Sequence, residues 1–246
     1  MIREELVRYS RQIMLPEIDI EGQNKIKEAS VGIIGMGGLG CPSAIFSSVS
    51  GFGSISLFDH DLIDISNLQR QILFNSNDIG KNKSSVALKK IKLLNENTFV
   101  KSEPVKITEE NISSKLFDLK IILDCSDNFE TRKIINKYCF ENKKILISGS
   151  SVFWTGQLMS FDFSNKNQPC YQCLFEDLDE EDLSCRESAI ISPLVGIIGS
   201  YMVLEAIKII TNSSPRNQFI QINTLTGDIK RLNFSKNKNC KICGAS

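Results

Sequence analysis

The stretch SVGIIGMGGLGCPSAIFSSVSG, residues 30–51, decides the fold. Residues 30–35 are a short apolar run rich in β-branched side chains, which is typical of a buried strand. Residues 38–51 have a helical pattern with Pro42 near its start, where a helix needs no N–H donor. A strand, a glycine-rich turn and a helix in this order form the opening unit of a parallel α/β sheet.

Alternating strand and helix patterns continue from this unit as far as residue 150. The helix patterns lie at 3–29, 83–95 and 131–142. The further strand patterns lie at 54–59, 100–107 (an edge strand), 119–128 and 143–150. Because the strands are joined through helices, we predict an α/β fold with a Rossmann-like, doubly wound and mainly parallel sheet.

The pattern changes beyond residue 150, where strands no longer alternate with helices. The strand patterns there lie at 156–163, 218–225 and 227–234. The last two are joined by a Thr-Gly turn, so we expect the sheet to continue into antiparallel strands. An apolar helix pattern at 189–210 carries Gly196, Gly199 and Ser200 on one face, which predicts close helix packing within the chain or across a subunit interface.

Composition argues against several classes of protein. Lys+Arg and Asp+Glu both total 29, so the chain lacks the basic excess typical of nucleic-acid-binding proteins. The N-terminal MIREELVRYSRQ has no apolar core, so we expect no signal peptide. Residues 189–204 are short for a membrane span and contain Pro193, which favours a buried helix over a membrane helix. Eight cysteines without a secretion signal indicate a reducing, cytoplasmic compartment.

The turn Gly35-Met36-Gly37-Gly38-Leu39-Gly40 has the pattern G-x-G-x-x-G, placed between a predicted strand and a predicted helix. Glycines let the backbone approach an anion closely, and a helix N-terminus attracts negative charge. Asp59 lies 19 residues after Gly40 at the end of the next strand, where a carboxylate can accept hydrogen bonds from a ribose. The pattern predicts a nucleotide site with NAD as the usual ligand, and a purely structural glycine turn is the alternative.

Charged residues after Asp59 favour a different nucleotide. The segment Ser66-Asn67-Leu68-Gln69-Arg70-Gln71 places a guanidinium beyond the ribose acid, and Lys83 begins the next helix. Asp127 and Asn128 follow the fourth strand, on the edge where α/β sheets bind ligands. Together such groups can hold a triphosphate and Mg²⁺, whereas hydride transfer needs no cationic pair. For each residue alone, a solvated charge or a local cap is the alternative.

Two Cys-x-x-Cys pairs, Cys170/Cys173 and Cys240/Cys243, supply the four thiolates that a tetrahedral structural zinc requires. The 66 residues between the pairs exceed the spacing of a compact zinc finger. Two unrelated thiol pairs, or a redox disulfide in one of them, therefore remain alternatives. The cysteines in predicted core elements, expected to be small buried residues, are Cys41, Cys125 and Cys139.

Several motifs together resemble the ThiF/MoeB/HesA family, bacterial relatives of the ubiquitin-activating enzymes. They are RYSRQI, GMGGLG, SNLQRQILF, LDCSDN, CYQCL, Cys185-Arg186 and PLVGIIGS with EAIK, in order along nearly the whole chain. The resemblance implies ATP-dependent adenylylation of the C-terminal glycine of a small ubiquitin-like sulfur-carrier protein, with Mg²⁺, structural zinc and a homodimer. We accordingly predict one domain, 1–246, with a helical arm (1–29), a nucleotide-binding half (30–150) and a partner-binding and zinc half (151–246).

The resemblance also implies roles for individual residues. The nucleotide-binding set comprises Gly35, Gly37, Gly38, Gly40, Asp59, Ser66, Asn67, Leu68, Gln69, Arg70, Lys83, Asp127 and Asn128. The zinc ligands are Cys170, Cys173, Cys240 and Cys243. The catalytic set comprises Arg11, Arg70, Lys83, Asp127 and Cys185. Arg11 matches an arginine that reaches the neighbouring subunit's ATP site, and Cys185 matches a position that joins the sulfur carrier as an acyl disulfide in the thiamine-pathway branch.

The motifs RYSRQI, QRQILF, GQLM and Cys185-Arg186 look more like the thiamine-pathway branch than the molybdopterin branch. A ThiS-like carrier is therefore expected, with a MoaD-like carrier as the alternative and a sulfur-donor protein as a further partner. The attacking carboxylate has a reference pKa of about 3.5 and is ionised at neutral pH, so no general base is needed and the single histidine, His60, has no assigned role. The rival hypotheses are an NAD-dependent oxidoreductase and a zinc-stapled scaffold without activity.

Overall fold

Residues 1–164, 168–175, 189–212 and 218–244 are described by the computed structural model. The helices within these ranges are α1 (Arg3–Arg8), α2 (Ser10–Ile13), α3 (Asp19–Glu28), α4 (Gly40–Val49), α5 (Lys83–Leu94), α6 (Ile112–Leu116), α7 (Phe129–Glu141), α8 (Tyr171–Leu174) and α9 (Ser192–Ile210). The strands are β1 (Ser30–Ile34), β2 (Ser54–Phe58), β3 (Phe99–Glu103), β4 (Ile121–Asp124), β5 (Ile145–Val152), β6 (Thr155–Asp162), β7 (Gln218–Asn223) and β8 (Asp228–Leu232).

The described strands form one eight-stranded sheet in the order β3-β2-β1-β4-β5-β6-β7-β8. Strands β3 to β5 pair in parallel, and β5 to β8 pair antiparallel. The predicted doubly wound, mainly parallel sheet that continues into antiparallel strands is confirmed, with β3 at an edge as expected. The strand order reverses between β1 and β4, and α/β sheets bind ligands at such a point.

Both faces of the parallel strands are covered, because successive side chains of a strand point to opposite faces. Ile33 belongs to a large apolar cluster with residues of α4, α5 and α9, and its neighbour Ile34 belongs to a second cluster with residues of α6 and α7. The second cluster continues through Phe161 and Phe219 to the cysteine pairs. The antiparallel strands are thus part of the same double-sided core as the parallel strands.

Helix α9 is the buried helix that the sequence predicts at 189–210. By length and composition it could cross a membrane, but half of it is buried against the rest of the chain. Gly199 packs against the start of α4, where a Cβ would lie 2.4 Å from the carbonyl oxygen of Leu39. Its close packing is therefore within the chain, whereas a Cβ on Gly196 would have no described neighbour within 4 Å.

Some boundaries differ from prediction for local reasons. Residues 3–28 are helical but form three short helices, since Pro16 separates α2 from α3. Strand β3 ends at Glu103 instead of 107, and Lys106 is already outside it. The β7–β8 connection is a four-residue loop, 224–227, in which Gly227 has a φ of +82°, so both strands are shorter than predicted.

Candidate nucleotide site and cysteine cluster

The glycine turn joins β1 to α4 at the carboxyl edge of the sheet. Gly35 has a left-handed backbone (φ +91°), and a Cβ there would lie 2.7 Å from the carbonyl oxygen of Cys125. A Cβ on Gly40 would lie 1.9 Å from the carbonyl oxygen of Gly35, so neither position accepts a side chain without a shift of the backbone. The turn therefore passes in contact with the chain that leaves β4, at the point where the strand order reverses.

Asp59 follows β2, and its carboxylate faces the glycine turn. Its Oδ2 accepts the backbone N–H of Met36 at 2.6 Å, and its Oδ1 accepts the N–H of Asp61 at 2.8 Å. Burial raises the pKa of Asp59, although the two backbone N–H groups act against this shift. A carboxylate has roughly four lone-pair positions, so acceptor capacity remains for the ribose hydroxyls of the predicted role.

Lys83 lies at the first turn of α5 with a buried side chain. Its Nζ contacts Asp61 Oδ2 at 2.8 Å, and its backbone N–H donates to the carbonyl oxygen of Asp61 at 3.0 Å. Burial acts to raise the pKa of Asp61, but the hydrogen bond from Lys83 and the attraction of the nearby positive charge together outweigh it, so the pKa is lowered. Asn82 donates to the carbonyl oxygens of Asp59 and Asp61 at 3.0 and 3.2 Å, which fixes the lysine beside the ribose acid. No motif or spacing along the chain indicates this role for Asp61.

The motif residues Ser66 to Arg70 lie on a short helical turn after β2. Asp64 Oδ1 caps this turn by accepting the N–H of Ser66 at 2.8 Å. Arg70 is half-buried, and its Nη1 donates to the carbonyl oxygen of Ser66 at 3.0 Å. The guanidinium therefore has donors left for a ligand, because only one of its five N–H groups makes a hydrogen bond within the described residues.

Gln71, quoted above as part of the motif but given no role, is buried directly against the glycine turn. Its side chain is 3% exposed, and its Oε1 has no hydrogen-bond partner among the described residues. Its Nε2 lies 3.8 Å from the position that a Cβ on Gly37 would occupy. No periodicity or spacing in the sequence distinguishes this glutamine from the neighbouring Gln69, which is exposed.

Asp127 and Asn128 follow β4 on the same edge of the sheet as the glycine turn. The backbone N–H of Cys125 donates to the carbonyl oxygen of Ile34 at 2.9 Å, which keeps the tips of β4 and β1 together. Asn128 caps α7 by accepting the N–H of Thr131 at 2.9 Å, whereas the Asp127 carboxylate is exposed. Asp127 Oδ1 also accepts a hydrogen bond from Asn128 Nδ2 at 3.5 Å, so the cap fixes the loop and the exposed carboxylate lies beside the crevice at the switch point.

Arg11 lies at the opposite edge of the sheet. Its helix α2 is attached to the C-terminal end of α4, where Gln12 Nε2 donates to the carbonyl oxygen of Ser50 at 3.1 Å. The glycine turn is at the other end of α4, about 15 Å away for a ten-residue helix. The structure therefore brings the described residues of the nucleotide site to one edge of the sheet and leaves Arg11 away from its own chain's site.

The predicted nucleophile Cys185 and its neighbour Arg186 lie outside the described residues. The same holds for most of the acidic segment 175–185 that precedes them. The role of Cys185 stays a prediction from the resemblance.

The four paired cysteines come together in space. Their sulfur atoms all lie within 4.8 Å of one another, with Cys170 and Cys240 3.7 Å apart and Cys173 and Cys243 3.2 Å apart. Four thiolates bound to zinc at about 2.3 Å in a tetrahedron would be about 3.8 Å apart, so the arrangement fits zinc. Burial raises the pKa of Cys170 to about 12 and raises that of Cys243, whereas the backbone N–H groups of Cys243 and Ile242 outweigh burial at Cys240 and lower its pKa.

The remaining described cysteines have a different environment. Cys41, Cys125 and Cys139 are buried in the apolar clusters, as predicted. Burial raises the pKa of Cys41 and of Cys125 to about 12 and raises that of Cys139 as well. These thiols are protonated at neutral pH and belong to the core.

Two curated relatives match along nearly the whole chain. A sulfur carrier protein ThiS adenylyltransferase from Escherichia coli is 35% identical over 243 residues, which cover 98% of this chain and 96% of the relative. A molybdopterin-synthase adenylyltransferase from Salmonella typhimurium is 32% identical over 243 residues, which cover 98% of this chain and 97% of the relative.

A solved structure has the same fold over nearly the whole of this chain. Escherichia coli MccB in complex with ATP superposes with a TM-score of 0.84 at 26% identity, over 96% of this chain and 74% of that one. The ThiF family matches residues 9–242, a span that includes the glycine turn, the strand tips and three of the four clustered cysteines, and that ends one residue before Cys243. This chain belongs to the ThiF family.

Proposed function

We propose that this chain is an adenylyltransferase that uses ATP to adenylylate the C-terminal glycine carboxylate of a small ubiquitin-like sulfur-carrier protein, with release of pyrophosphate. The observation that carries this proposal is the meeting of the glycine turn, Asp59, Lys83 and Asp127 at the switch point of the sheet. The names of the family relatives support the reaction, since the ThiS and molybdopterin-synthase relatives are both adenylyltransferases.

Each residue contributes one physical effect. The N-terminus of α4 and the backbone of the glycine turn attract the phosphates. Asp59 accepts hydrogen bonds from the ribose, and Asp127 offers carboxylate oxygen, the ligand type that Mg²⁺ prefers. Bound Mg²⁺ would offset the charge of the triphosphate. Lys83 and Arg70 add positive charge where two anions must approach one another and where pyrophosphate gathers charge as it leaves.

Pyrophosphate exchange tests this assignment directly. Arg70→Ala, Lys83→Ala and Asp127→Ala should each reduce ATP–pyrophosphate exchange by about 10²–10³ while the protein stays folded. Lys81→Ala is the matched control, because Lys81 is an exposed lysine two residues from Lys83 and outside the site. Near-normal exchange in all three site variants would refute the proposed chemistry.

We place Arg11 in the nucleotide site of a second copy of the chain. The support is its position, since α4 separates it from its own glycine turn while the side chain is exposed. In a symmetric dimer, mixing inactive Arg11→Ala and Asp127→Ala proteins should restore about a quarter of wild-type exchange, because half the dimers would then hold one complete site. Failure of the mixture to regain any activity, with subunit exchange verified, would contradict the trans role.

We propose a ThiS-like carrier in thiamine thiazole biosynthesis, with a MoaD-like carrier of molybdenum cofactor biosynthesis as the alternative. The short motifs around Arg11, Gln71 and Cys185 support the first, and the similar identities to both relatives leave the second open. The decisive experiment mixes the protein with ATP, Mg²⁺ and each carrier and looks by mass for an acyl-adenylate terminus. Adenylylation of the MoaD-like carrier alone would replace the thiamine assignment.

We assign Zn²⁺ to the four clustered cysteines in a structural role, since four thiolates leave no open coordination position.

We also propose that Cys185 takes part in sulfur transfer after adenylylation, with a sulfur-donor protein as partner, in the cytoplasm. Cys185→Ser should keep adenylylation and impair sulfur transfer to the carrier. Unchanged sulfur transfer would make Cys185 a bystander. Tight NAD binding without ATP binding would instead favour an oxidoreductase.

A further inference from the structure

A buried polar cluster lies directly beneath the loop that carries Asp127. At its centre is Asp124, the last residue of β4, which is 1% exposed. Its Oδ1 accepts the N–H of Ser126 at 3.1 Å and the hydroxyl of Ser126 at 2.6 Å. Its Oδ2 accepts the hydroxyl of Ser148 on β5 at 2.9 Å. The residue that precedes Asp127 is therefore held by a carboxylate inside the core.

Arg132 on α7 completes this cluster and is the only buried arginine among the described residues. Its Nη1 donates to the hydroxyl of Ser148 at 3.0 Å, and its Nη2 donates to the carbonyl oxygens of Gly149, at 2.8 Å, and of Ser126. The guanidinium thus joins the middle of β5 to the nucleotide-site loop. A buried charge of this kind is costly unless paired, and Asp124 supplies the opposite charge.

The same arginine faces the cysteine cluster on its other side. Phe129, Arg132 and Asn136 share one face of α7 because they are spaced three and four residues apart. Tyr171, which directly follows Cys170, packs on this face. Its ring lies 6.4 Å from that of Phe129, and its N–H donates to Asn136 Oδ1 at 3.0 Å, one turn of α7 from Arg132. This packing brings the phenol and the guanidinium within range of electrostatic interaction.

We propose that Arg132 and Tyr171 are positioning residues that link the cysteine cluster to the nucleotide site. A metal ion bound by the cysteines would fix the position of Cys170 and therefore of Tyr171, which follows it. Tyr171 in turn would hold the guanidinium of Arg132, which binds the loop before Asp127. Metal binding then strengthens nucleotide binding, which gives the cysteine cluster a role beyond stabilising the fold. This proposal rests on the proposed function, because it assumes that ATP binds beside Asp127.

Tyr171→Phe removes only the hydroxyl and is the variant that tests the link. Tyr138→Phe is the matched control, since Tyr138 is a buried tyrosine of α7, the helix that carries Arg132, and belongs to the same apolar cluster as Tyr171. We expect Tyr171→Phe to retain its zinc, while its affinity for a non-hydrolysable ATP analogue falls about tenfold, as for the loss of one polar interaction with a charged group. Its KM for ATP should rise by a similar factor, whereas Tyr138→Phe should stay within about twofold of wild type.

Combining metal removal with the Tyr171→Phe substitution completes the test as a double perturbation cycle. Chelation should weaken analogue binding by the wild-type protein, and the additional loss should be smaller in Tyr171→Phe, where the link is already broken. Equal analogue affinity of wild type and Tyr171→Phe, with normal exchange activity, would overturn this proposal and leave the proposed function intact. Wild-type protein that binds no ATP would refute both. A lower melting temperature with unchanged affinity would show that Tyr171 is merely structural.

Discussion

Replacing Gly37 by alanine would reveal whether the glycine turn binds phosphate or only closes the fold. A Cβ at this position would have one described neighbour within 4 Å, the Gln71 amide nitrogen at 3.8 Å, which is an ordinary contact. The backbone of Gly37 is outside the left-handed region, so alanine fits it without strain. The free energy of unfolding should therefore stay the same or rise by up to about 1 kcal/mol.

The same methyl group would point into the space through which a phosphate reaches the turn. If it displaces the phosphate from one backbone N–H, the loss is about 1.5–3 kcal/mol, the value of a hydrogen bond to a charged group. That loss corresponds to an affinity for ATP lower by roughly 10- to 150-fold. The variant should therefore separate binding from stability.

Two further glycine variants calibrate the experiment. Gly40→Ala should destabilise the fold by about 3 kcal/mol or more, because its Cβ would overlap the carbonyl oxygen of Gly35. Gly196→Ala has open space around the new methyl group and should leave ATP affinity unchanged. Urea unfolding reports stability, and calorimetric titration with a non-hydrolysable ATP analogue reports affinity. If Gly37→Ala binds the analogue as tightly as wild type, the phosphate does not lie on this turn and the structural interpretation of the glycine pattern is correct.

Three other predictions concern stability and thiol chemistry. The hydrogen bond from Lys90 holds the pKa of Asp78 below that of a free aspartate, so this stabilisation is fully present above the pKa of the unfolded chain and is lost as pH falls through the lowered pKa. Acid unfolding should therefore be less steep in Asp78→Asn, and an identical slope would contradict the pairing. Cys240→Ser should lose its zinc, and its free energy of unfolding should fall by about 3 kcal/mol, which corresponds to about 6–12 °C in Tm. Full zinc content of this variant by elemental analysis would exclude the cluster as the metal site. Alkylation at pH 8, mapped by mass spectrometry, should not label the buried thiols of Cys41, Cys125 and Cys139 before the protein unfolds. Rapid labelling of these thiols in the folded protein would contradict their burial.

Local physics explains why much of the architecture was predictable. Two glycines of the turn are required for local reasons, Gly40 by its contact with the carbonyl oxygen of Gly35 and Gly35 by its left-handed backbone, so the turn can be identified without knowledge of the remaining chain. The spacing at which apolar residues recur distinguishes strands from helices, and it too can be read without knowledge of distant segments. Boundaries were less accurate where a single local event intervenes, as with the four-residue loop that ends β7 at Asn223.

In the candidate site, too, some positions could be inferred from the sequence and others depended on tertiary packing. Asp59 and Asp127 follow strands whose carboxyl ends share an edge, so their position could be inferred from topology. The pairing of Lys83 with Asp61, and the buried Arg132 beneath the loop, could not, because both depend on how helices pack against the sheet. The roles carried over from the family resemblance come from neither source, and that of Cys185 awaits the sulfur-transfer experiment.

By itself the sequence determined the order of elements, the glycine turn and the presence of four thiols in two pairs, since each is a matter of spacing along the chain. Only the tertiary structure decided that the two pairs meet within 4.8 Å, and that Arg11 lies at the far end of α4 from its own nucleotide site. The physical reason is that contacts between distant segments depend on strand order and on the packing of helices across the sheet. A periodic pattern specifies which face of an element is buried but does not specify what it is buried against.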